Sequence, residues 1–141
     1  MKRRIPNPQT VSPVLATEDP AAYQLHSRQL FDEYQPANST ETQLVQELVY
    51  TAWRINRIPR LEAELLSQNP NPQTLIQALA ALGLHYTRLS RQFQQTVHKL
   101  REMQAERVRL QERDLGRAAE LLELHKHKGI PYDPTQDGFV F

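Results

Sequence analysis

Apolar residues recur along this chain in three helical periodicities, set apart by proline-containing breaks. In the first, Tyr23, Leu30, Phe31 and Tyr34 share one face at spacings of seven, one and three, and Pro36 ends the run. Asp19-Pro20 opens it, because Asp accepts from the free amides of a first turn and Pro supplies a fitting φ there. The pattern predicts a helix over 19–34. In the second run Leu44, Val45, Leu48, Val49, Ala52 and Ile55 form the apolar face. Thr40 with Gln43 three residues on reads as its capping box, which predicts a helix over 40–66. Pro59 removes one backbone donor and crowds the carbonyl four residues back, so a kink is expected there. Leu61, Leu65 and Leu66 continue the stripe beyond it.

Asn71-Pro72 repeats the cap-then-proline signature and opens a third run over 72–128. Leu75, Leu79, Leu82, Tyr86, Leu89, Phe93, Leu100 and Met103 keep spacings of three and four, interrupted by Thr96, as a coiled-coil seam does. Beyond Met103 that register points Arg107, Asp114 and Arg117 inward, while Val108, Leu115 and Leu122 mark a displaced stripe. Either the seam drifts around the helix or the helix breaks at Gly116.

The short link between the second and third runs makes them antiparallel neighbours. At 1.5 Å per residue the second helix reaches ~40 Å and an unbroken third ~80 Å, so the second half of the third overhangs. The fold class expected is all-α: a helical hairpin or three-helix bundle with a long, partly coiled-coil third helix. Residues 18–128 form the helical domain, flanked by a flexible arm (1–17) and a tail (129–141). Uncovered apolar surface calls for a partner, so self-association is expected of the overhang, with a fold-back at Gly116 as its intrachain competitor.

Composition narrows the picture. The length of 141 residues fits one domain, and only four glycines are present, few for strands and catalytic loops. A net charge of +1 provides no global attraction for nucleic acid or anionic lipid. The chain has no cysteine, which excludes disulfides and thiolate chemistry. No signal-like or bilayer-length apolar run appears, so a soluble cytoplasmic protein is expected.

Candidate chemistry is sparse. Tyr50 precedes Arg54, and Trp53 precedes Arg57, by four residues, with Arg60 a turn beyond. Such interleaving suits stacking on bases and holding phosphates, and equally suits guanidinium groups lying over aromatic rings. Glu62 and Glu64 dilute its charge. His125 and His127 are two apart, so within a helix they diverge and cannot share a metal. Glu102 and Glu106 share a face but are bordered by Lys99 and Arg109, as in a surface charge lattice. No Walker A, GxSxG, GxGxxG or HExxH signature occurs. The closing Phe139-Val140-Phe141 suits either docking as a short peptide or packing back on the chain.

Through Glu18-Asp19-Pro20-Ala21-Ala22-Tyr23, Glu33-Tyr34-Gln35-Pro36, Glu41 with Leu44-Val45, and Trp53-Arg54 through Arg57 to Arg60-Leu61-Glu62, the chain resembles a group of short, largely uncharacterised bacterial helical proteins. The resemblance covers residues 18–66 and implies no defined activity. Relatives often open with a Lys-His-Gly segment reminiscent of phage or mobile-element proteins, which this chain lacks. The expected function is therefore a non-enzymatic helical self-association or protein-interaction module, without cofactor or metal. Its association residues are Leu100, Met103, Val108, Leu110, Leu115 and Leu122. The alternative is a nucleic-acid-binding accessory protein of a phage or mobile element, using Lys2, Arg3, Arg4, Arg54, Arg57 and Arg60.

Overall fold

A computed structural model describes residues 13–68 and 71–129 of the chain. The protein is all-α, with α1 (Pro20–Tyr34), α2 (Ser39–Ser67) and α3 (Pro72–Lys128) in order. Asp19 caps α1 as expected, its carboxylate accepting from Ala21 N at 2.9 Å ahead of Pro20. Gln35 ends that helix in the left-handed region at φ 44, its amide donating to Phe31 O.

The capping box of α2 lies two residues earlier than Thr40/Gln43. Asn38 is the cap, its Oδ1 accepting from Glu41 N at 2.9 Å, and Thr40 is already helical. Glu41 returns the contact, accepting from Asn38 Nδ2 at 2.8 Å and from Ala37 N at 3.3 Å. A carboxylate at the third helical position complements the amide-rich helix start better than the neutral Gln43 does, which is why this box prevails. Glu41 is fully buried, and these donors satisfy it. The helix continues through Pro59, which is exposed.

α1 and α2 run antiparallel, which brings Tyr23 beside Trp53 and His26 beside Val49. The core of this pair is Tyr23, Leu44, Val45, Leu48, Val49 and Ile58. Each such burial stabilises by roughly 1.5–3 kcal/mol for a large aliphatic side chain. Leu61 and Leu65 of α2 share a groove with Ala78 and Leu82 of α3, as an antiparallel hairpin requires. Leu66, expected in the stripe, is 52% exposed.

α3 is unbroken for 57 residues, passing through Gly116, so no fold-back occurs there. Asn71 caps it through Gln73 N, and Gly129 closes it at φ 66. The chain divides into two compact units at His98/Lys99, within this helix. Along the seam Leu89 and Leu100 are buried, and Leu75, Leu79, Leu82, Phe93 and Met103 are half-buried. Tyr86 departs from the expectation at 48% exposure.

Candidate functional site

The Trp53–Arg60 stretch of α2 is where sequence and structure bring the most polar chemistry together. Glu18, one residue ahead of the α1 cap, reaches across to α2, and its side chain is only 7% exposed. Arg57 donates to it twice, from Nε at 3.0 Å and from a terminal guanidinium nitrogen at 2.8 Å. The same guanidinium also donates to Pro13 O at 2.7 Å. Trp53 Nε1 adds a bond at 3.3 Å, and Arg60 approaches at 3.8 Å. The Arg57 hydrogen bonds, above all, hold the Glu18 carboxyl down at about 2, against the opposing cost of its burial.

This arrangement is a fastening between the segment preceding α1 and the middle of α2. A recess of about 140 Å³ beside it, lined by Glu18, Trp53, Asn56, Arg57 and Arg60, is too small for a nucleotide. Trp53 packs edge-on against Tyr23, with ring centroids 5.2 Å apart, and lies 5.6 Å from His26. His26 Nε2 lies 3.1 Å from the Val49 carbonyl, which can only accept, so the proton sits on Nε2. Burial pushes the Tyr23 phenol above its ordinary value.

The basic candidates thus take structural partners. Arg54 lies over the Tyr50 ring at 5.3 Å, Arg57 is committed to Glu18, and Arg60 contacts Glu18, Thr17 and Glu64. Trp53 does not receive Arg57 over its face; it donates to the carboxylate that Arg57 binds. Lys2, Arg3 and Arg4 lie outside the described residues, as does the Phe139-Val140-Phe141 ending.

The association residues divide into three environments. Leu100 is fully buried, so it presents nothing to a partner, and Met103 is half-buried. Val108, Leu115 and Leu122 are 43%, 53% and 49% exposed and repeat every seven residues. Leu110 is also exposed but lies about 160° around the helix from Val108, on the opposite flank. The covered face keeps the original heptad: Phe93, Leu100, Arg107, Asp114 and Leu121 recur at sevens and are buried or half-buried, and Ala118 is buried beside them. The register predicted Arg107 and Asp114 inward; Arg117 is exposed.

His125 and His127 both belong to α3, about 200° apart around its axis. His125 donates from Nδ1 to Leu121 O at 2.8 Å. Glu106 pairs with Arg109, as a surface lattice does. Among the described residues no group of three or more metal-ligating side chains assembles, and no helix is long and apolar enough to cross a membrane. No family model, curated protein or solved structure matches the chain.

Proposed function

We propose that the protein is a non-enzymatic helical module that works by self-association through the second half of α3. The observation that carries this reading is the line Val108, Leu115 and Leu122: three large aliphatic residues at heptad spacing, each more than two-fifths exposed on one flank of a continuous helix. Isolated exposed leucines are ordinary, but a periodic row on a rigid helix is the signature of a helix-packing seam. Leu110 and Leu124 lie on the other flank and are not required for it.

An interaction role also accords with the chemistry of the described residues. The most polar cluster is a satisfied ion pair that fastens secondary structure, and its recess is small. The test is the mass of the full chain by light scattering after size exclusion, for the wild type and for Val108→Glu/Leu115→Glu. The wild type should be an oligomer and the double variant a folded monomer, because burying unpaired carboxylates in a seam is strongly unfavourable. A wild type that stays monomeric at high micromolar concentration defeats the reading.

A further inference from the structure

We infer that the partner of this seam is a second copy of the chain lying antiparallel, in one particular register; this rests on the self-association reading above. Spacings of alternating three and four around the exposed row give the full seam as Ala105, Val108, Glu112, Leu115, Ala119, Leu122 and Lys126. All seven are exposed, and a shallow groove of about 450 Å³ runs along its first half beside Ala105, Val108 and Glu112. Its two charged members have opposite sign and stand two heptads apart. That separation decides the orientation.

A parallel, in-register pair would set Glu112 against Glu112 and Lys126 against Lys126, like charges at two layers of the seam. Reversing the second copy about a two-fold axis level with residue 117 gives a different set of neighbours. Leu115 then faces Ala119 of the second copy, and by symmetry Ala119 faces its Leu115, large against small in both central layers. Glu112 faces Leu122 and lies one turn from Lys126 of the second copy, within reach of a long ammonium side chain. Val108 packs on the aliphatic stem of that same lysine. On the outer flank Arg109 and Glu123 of the second copy lie ~3 Å apart along the axis, within reach of an ion pair, twice over. Arg109 otherwise pairs with Glu106, at a surface contact of little energetic consequence that can be exchanged. The paired stretches overlap over about 23 residues, or ~34 Å of helix. Shifting the axis a half-heptad towards the N-terminus, level with residues 113 and 114, loses the Glu112–Lys126 proximity and sets Arg101 against Lys126.

The cysteine-free chain makes the geometry directly measurable. Val108→Cys and Lys126→Cys are prepared separately in the full chain, and each is oxidised alone and as an equimolar mixture. In the antiparallel register residues 108 and 126 of different copies face one another, while 108 and 108 are ~27 Å apart along the axis. The mixture should form the heterodimeric disulfide and Val108→Cys alone should not. A second set uses charge. Glu112→Lys should weaken association roughly tenfold or more, and Glu112→Lys/Lys126→Glu should restore it. Cross-linking of Val108→Cys to itself, or a double charge variant no better than the single one, overturns the antiparallel register. A wild type that light scattering finds oligomeric, but in which neither cysteine pair cross-links, overturns this seam while leaving self-association standing. A monomeric wild type overturns both.

Discussion

Glu18 and Arg57, 39 positions apart in sequence, meet in a two-pronged ion pair whose guanidinium also holds the Pro13 carbonyl. The pair is partly covered, with side-chain exposures of 7% and 15%, so it is neither a free surface contact nor fully desolvated. Removing one partner leaves the other charge without its fork of hydrogen bonds. Arg57→Ala should therefore destabilise by about 1–3 kcal/mol, below the range for a fully buried pair. Arg54→Ala, which loses a half-exposed stacking contact with Tyr50, should cost less than about 1 kcal/mol. Urea denaturation of both variants checks the order, and equal effects would mean the fastening is not structural.

The same carboxylate sets part of the acid limb of stability. Its folded pKa is lowered to about 2 from 4.5, so its contribution is complete above pH ~5 and is lost as pH falls towards 2. The size is on the order of 1 kcal/mol once solvent screening is allowed for. Glu18→Gln should be less stable than wild type at pH 7, and the difference should shrink steadily from pH 5 to pH 2. A difference independent of pH would assign the loss to packing.

Helix starts provide a sharper comparison. Asn38→Ala should cost about 1 kcal/mol, because it removes the acceptor for Glu41 N and a donor to the buried Glu41 carboxylate. Thr40→Ala should be neutral within about 0.5 kcal/mol, as an exposed position inside the first turn. Thermal melts of the two variants separate the observed cap from the one the Thr-x-x-Gln pattern suggests.

These contrasts show what was legible in the sequence. Asp19-Pro20 and Asn71-Pro72 mark their caps in the sequence, because a cap is a local event among three or four residues. At Asn38 two overlapping cap patterns competed, and Glu41 decided between them by accepting from both Asn38 and Ala37. The Glu18–Arg57 pair had no local signal at all, since it depends on the antiparallel docking of α1 on α2. Along α3 the difficulty was two heptad rows displaced by one residue. The seam register points Arg107 and Asp114 inward and leaves Val108 and Leu115 on a displaced stripe, and spacing alone does not say which of the two rows is covered. In the structure Arg107 and Asp114 are half-buried, while Val108 and Leu115 are exposed.

The basic flank of α2 yields a prediction of weak nucleic-acid binding. With Arg57 engaged by Glu18 and Arg60 between Glu18 and Glu64, this flank of α2 has few cations left to release counterions from phosphate. Titration with duplex DNA and with RNA at 50 and 200 mM salt should show no strongly salt-dependent shift. Tight binding that is lost in Arg54→Gln/Arg57→Gln/Arg60→Gln, with the fold intact, would favour the nucleic-acid alternative.

Gly83 and Gly116 test the continuity of α3. Both lie inside the helix, and a Cβ built at either meets nothing within 4 Å. Glycine in a helix interior is worse than alanine by roughly 0.5–1 kcal/mol, because the unfolded chain loses more freedom on forming the helix. Gly83→Ala and Gly116→Ala should therefore each raise the melting temperature by a few degrees, with a modest gain in helical circular dichroism. A helix that turned back at residue 116 would respond oppositely there, since a turn that uses glycine's freedom is strained by a Cβ. Position 116 also lies on the flank of the proposed seam nearest the two-fold axis, where its two copies approach. If Gly116→Ala raises helicity but lowers the oligomer mass, the copies pack closer at that flank than the register centred on residue 117 allows. A gain at Gly83 with a loss of helicity at Gly116 would place a break in the helix after all.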